Sequence, residues 1–85
     1  MKKDQEKELL ERLKSGDVAV YETIFKKHYK LLLLEAFYLL KEELEAETLV
    51  QKIFIEFLDE ERYRGIDGSI QNYLQRSLRE NISVR

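Results

Sequence analysis

Apolar residues recur at intervals of three and four through most of the chain, a spacing that predicts helices rather than strands. Residues 4–15 carry a thin stripe of Leu9, Leu10 and Leu13 among charges. Ser15-Gly16 ends it, glycine suiting the left-handed position after a helix. Asp17 then suits the cap of a second helix over about residues 18–40. Its inward stripe is Tyr21, Ile24, Phe25, His28, Leu32, Ala36 and Leu39. A third helix over about 42–59 is expected to bury Leu44, Leu49, Ile53, Phe54, Phe57 and Leu58. Glutamates in its first turn suit the positive end of the helix dipole. Residues 60–68 read as the one substantial loop. Ser69 caps a fourth helix over about 70–82, with Ile70, Tyr73, Leu74, Leu78 and Ile82 inward. The join between the second and third helices is very short, so those two are expected to be antiparallel neighbours. The pattern predicts one all-α domain over residues 1–85, a compact bundle of three long helices plus a short N-terminal one.

A second stripe on the second helix complicates this. Leu31-Leu32-Leu33-Leu34 covers its whole circumference, and Leu31, Leu34 and Tyr38 form a line at i, i+3 and i+7. Either the helix is central and buried all round, or the line is exposed and marks a protein contact.

Composition narrows the chemistry. The 85 residues contain no cysteine, no proline, three glycines and one histidine, which excludes a disulfide scaffold and a many-histidine metal site. Apolar runs are too short to span a bilayer and residues 1–14 are too charged for a signal peptide, so no membrane association and a cytoplasmic location are expected. Net charge is −2, unevenly spread: residues 41–61 hold two lysines against eight acids, net −6, leaving +4 elsewhere. A nucleic-acid footprint could therefore occupy only part of the surface.

Enzyme readings are weak. Glu43/Glu47 and Glu56/Glu60 have carboxylate-pair spacing but project away from the apolar stripe, where a solvated face is the stronger reading. His28 lies on the inward stripe without acids at ligand spacing. Ser15, Ser69, Ser77 and Ser83 have no histidine near in sequence, and no glycine-rich phosphate loop is present. No catalytic residue, metal or cofactor is expected. Arg62-Tyr63-Arg64 is more suggestive, because a ring between guanidiniums can stack a base and hold flanking phosphates. Arg76 and Arg79 share a face of the next helix, with Gln71 and Asn72 in its first turn. A plain solvated loop is the competing reading.

Several stretches occurring in order resemble the region 2 domain of extracytoplasmic-function sigma factors, in the sigma-70 family. They are Leu9 through Asp17, then Tyr21-Glu22, Ile24-Phe25 and His28-Tyr29. The strongest runs from Glu45 to Leu58 and is similar to the family's Glu-Ala-Glu-Asp-Leu-Val-Gln-Glu-Val-Phe, and Gly68 through Arg79 resembles the last region 2 helix. The resemblance implies a transcription initiation domain whose partners are RNA polymerase core, through the beta-prime clamp helices, and the melted minus-ten promoter element held as single-stranded DNA. It places Glu47, Thr48, Gln51, Lys52 and Ile55 toward polymerase. Its DNA candidates are Arg62, Tyr63, Arg64, Asn72, Arg76 and Arg79. The chain departs from the family pattern at Thr48 (aspartate), Lys52 (glutamate), Leu58 (tryptophan) and Glu80 (asparagine). Leu31, Leu34 and Tyr38 also stand where relatives carry basic or polar residues. These departures motivate an alternative, a sigma-like protein-interaction module without initiation activity, partnered by an anti-sigma factor or by itself. The chain stops where the family's linker would begin, so the helix-turn-helix domain is expected to be absent.

Overall fold

The computed structural model describes residues 2–66 and 68–83, with side chains described from Lys7 onward. Four α-helices and one short 3-10 turn follow in order: α1 Lys2–Lys14, α2 Ala19–Leu40, α3 Glu43–Leu58, the 3-10 turn Arg62–Gly65, and α4 Ile70–Ser83. No strand occurs among the described residues, and no described helix is long and apolar enough to cross a membrane.

Local chemistry sets each boundary. Gly16 takes φ +95°, and the Gly16 and Asp17 N–H groups donate back to the Leu13 and Arg12 carbonyls, each at 3.0 Å. These bonds satisfy carbonyls that the end of α1 leaves open. Asp17 then opens α2: its carboxylate accepts the Ala19 N–H at 3.1 Å and pairs with Arg12 at 2.9 Å. Lys41 closes α2 in the left-handed region at φ 60°. The Glu42 carboxylate accepts the Leu44 and Glu45 N–H groups, capping α3. Ser69 caps α4 by accepting the Asn72 N–H at 3.2 Å.

Helices α2, α3 and α4 run up, down and up. Phe57 meets Tyr73 near one end, and the Lys52 ammonium reaches Asn81 near the other. Helix α1 closes the end where α2 and α4 begin. The core centres on Leu13, Val20, Ile24, Val50, Ile53, Phe57, Ile70, Leu74 and Leu78.

Three expected core positions are corrected. Phe25, Leu39 and Leu44 are 39, 43 and 69% exposed. On α2 the buried row runs Val20, Ile24, His28, Leu32, Ala36 at strict four-residue spacing, the ridge that commonly packs into a neighbouring helix. That row brings in Val20 and leaves out Leu39. Phe25 keeps partial cover, stacking on Tyr29 at 4.7 Å and meeting Phe54 edge-on at 5.1 Å. On α3, Ala46 and Val50 join the core instead of Leu44. Leu58 is half-buried against the core.

Candidate nucleic-acid interface

The segment between α3 and α4 decides which candidate side chains reach the surface. After α3, Glu61 adopts φ 56° and starts the 3-10 turn. That turn swings Tyr63 inward. Its ring is 2% exposed, 6.5 Å from Tyr21 and 5.9 Å from Phe57, both edge-on. Burial first, then a hydrogen bond with Tyr21, pushes the Tyr63 phenol up to about 12. The expectation of Tyr63 as an exposed stacking platform is corrected: an aromatic ring at a junction of helices is held by the apolar area it buries there.

Arg64 stays exposed but is engaged within the chain. Its guanidinium pairs with Glu61, donates to the Lys14 carbonyl at 3.2 Å and lies over the Tyr63 ring at 5.5 Å. Lys14 answers by donating to the Ile66 carbonyl at 2.7 Å. Two cations therefore tie α1 to the loop, a role with no local mark in the sequence.

The remaining DNA candidates come together. Arg62, Asn72 and Arg76 line one open hollow of about 630 Å³, floored by Gly65, Ile66 and Gly68. Asn72 and Arg76 also line a second hollow of about 360 Å³ that continues along α4 to Arg79 and Ser83. The two hollows adjoin at Asn72 and Arg76 as one shallow, open channel along the helical face that carries positions 72, 76, 79 and 83, and Glu80 also lines its second part. Arg62 has a loose pairing with Glu60 at 3.6 Å. Arg79 contacts Glu35 of α2 at 3.4 Å, and the same carboxylate accepts from Gln75 at 3.3 Å. Glu35 is a brace that sequence reasoning missed, since its partners lie 40 and 44 residues away.

The α3 candidates divide. Thr48, Gln51 and Ile55 are exposed on its outer face and Glu47 is half-buried beside them. Lys52 is exposed but turns toward α4, where its ammonium donates to the Asn81 side chain at 3.5 Å. Leu31, Leu34 and Tyr38 are all exposed, so α2 is not buried all round. His28 is buried and lines a hollow of about 20 Å³ between α2 and α4, too small for a ligand. No group of residues suited to holding a metal occurs among the described residues. The chain matches no protein-family model, no curated protein and no solved structure.

Proposed function

We propose that this chain is a transcription initiation domain of the sigma region 2 type. It binds the beta-prime clamp helices of RNA polymerase through the outer face of α3. It holds the melted minus-ten promoter element as single-stranded DNA along α4. The observation that supports this reading best is the channel: Arg62, Asn72, Arg76 and Arg79 follow one open path. Three guanidiniums suit a phosphate backbone, and the Asn72 amide offers both donor and acceptor to an unpaired base edge. The class of ligand comes from the ordered sequence motifs. With Tyr63 inside, charge and amide contacts replace ring stacking. So few cations hold DNA weakly without polymerase.

The test is binding of a labelled single-stranded minus-ten oligonucleotide to this chain together with RNA polymerase core. The native chain forms the ternary complex, and Arg76→Ala weakens it about tenfold, the scale of one charge-assisted contact. Gly65→Leu also weakens it: a Cβ at Gly65 meets no protein atom within 4 Å, so the new side chain enters the channel without disturbing the fold. Failure to bind polymerase core, or DNA binding indifferent to both changes, overturns the reading.

The exposed line of Leu31, Leu34 and Tyr38 favours a second reading, a sigma-like interaction module whose partner is an anti-sigma regulator. Lys52 and Thr48 agree with it, since an acidic polymerase contact is missing at both. Binding to such a regulator without binding to polymerase core separates the two.

A further inference from the structure

The outer faces of α2 and α3 each carry a seam left open in the monomer. On α2, Lys27, Leu31, Leu34, Tyr38 and Lys41 follow alternating four- and three-residue steps. Leu31, Leu34 and Tyr38 are 61, 57 and 70% exposed. On α3, Leu44, Thr48, Gln51, Ile55 and Leu58 follow the same steps, with Leu44 and Ile55 69 and 52% exposed. Alternating steps of this kind keep a line of side chains facing a partner helix, as in a coiled coil.

The rims of the two seams have opposite sign. Lysines 27, 30 and 41 flank the α2 seam, and glutamates 43, 45, 47 and 56 flank the α3 seam. Among the described residues, no acidic side chain pairs with Lys27, Lys30 or Lys41, and no cation pairs with Glu43 or Glu47. The one lysine within the acidic rim, Lys52, is directed to Asn81.

We propose that a second copy of this chain covers both seams. Helix α2 of each copy lies against α3 of the other, closing a twofold dimer around a four-helix layer. The chain itself carries both halves of the complementary pair, apolar centre against apolar centre and lysine rim against glutamate rim. Twofold closure uses each seam once and stops growth at two copies. A membrane surface fits poorly, because Glu42, Glu43 and Glu45 stand at the same end as Leu34, Tyr38 and Leu44 and would be repelled by anionic headgroups. The pairing covers the same outer face of α3 that the polymerase reading uses, so dimer and polymerase would compete for it. The dimer itself is measured without polymerase or DNA.

Sedimentation equilibrium on the full chain, from micromolar to about millimolar, reads the mass directly. Mass rises from monomer to dimer and no further. At concentrations where the native chain is monomeric, Leu34→Glu keeps its helix content and melting temperature, since the side chain is exposed, and it raises the dimer Kd at least about tenfold. A copy carrying Lys41→Glu, at the end of α2 that meets the start of α3 in the partner, stays monomeric where the native chain dimerises, and so does a copy carrying Glu43→Lys and Glu47→Lys. An equal mixture of these two copies dimerises, because opposite signs meet again on both seams. Monomer at every concentration, growth beyond dimer, a dimer indifferent to Leu34→Glu, or a mixture that stays monomeric each overturns the proposal.

Discussion

Arg64 reaches across 50 residues of sequence to donate to the Lys14 carbonyl, so the end of α1 hangs on the loop before α4. The contact is exposed, and its loss acts locally. Arg64→Ala is expected to speed amide exchange through α1 while leaving exchange in α3 unchanged, the pattern of a subglobal opening. Hydrogen exchange followed by mass spectrometry checks this. Equal acceleration in both helices would mean that α1 is no separate unit.

Tyr63 predicts a sharper contrast. Tyr63→Ala empties a site at the junction of α2 and α3 and costs about 3–5 kcal/mol, while Tyr63→Phe keeps the ring and costs about 1 kcal/mol. Urea denaturation measures both. An exposed stacking ring would instead give two variants of nearly native stability.

The same residue sets an alkaline limit. Its phenol is raised from 10.0 to about 12, so the native state keeps a proton that the unfolded chain has lost. The stability this group contributes is whole below pH 10 and falls as pH climbs toward about 12. Tyr63→Phe removes that part of the decline. Chemical denaturation at pH 8 and at about pH 11 compares the two slopes.

Lys41 closes α2 with φ 60°, a conformation that strains a residue bearing a Cβ. Its ammonium also sits 4.6 Å from the centre of the Tyr38 ring. An exposed cation over a ring contributes about 0.5 kcal/mol, whereas left-handed strain costs about 1–2 kcal/mol. Strain wins, so Lys41→Gly is expected to stabilise by about 1 kcal/mol. Lys41→Ala keeps the strain and shows no such gain in the same denaturation experiment.

Glu35 lies 3.4 Å from Arg79 and partly neutralises it. If the α4 channel holds DNA, Glu35→Gln strengthens single-strand binding in the presence of polymerase core, and the gain disappears in Arg79→Ala. Anisotropy titrations at two salt concentrations check both.

The helices were legible in the sequence because their ends carry recognisable chemistry. Gly16, Asp17 and Ser69 perform the punctuation their side chains suggest. The α1 reading of 4–15 compares with Lys2–Lys14, and the α4 reading of 70–82 with Ile70–Ser83. What escaped was the orientation of Tyr63. Arg-Tyr-Arg reads the same whether the ring points in or out. The turn that directs it begins at Glu61, a left-handed residue that no glycine announces. Small core residues escaped as well: Ala46 and Val50 attract less attention than Leu44 but face α2 and α4 on the inner side of α3. Arg62, Asn72, Arg76 and Arg79 were legible as a group because three of them share one helical face.

The link between α2 and α3 is only Lys41 and Glu42, and these two helices form the most extensive pairing in the molecule. Closing so short a connection costs little chain entropy, so this hairpin can form before α1 and α4 dock. Relief of strain at Lys41 should then appear in the refolding rate. Weakening of the α1 attachment should appear in the unfolding rate, because that contact forms late. The turn and the N-terminal helix thus act on opposite sides of the folding barrier.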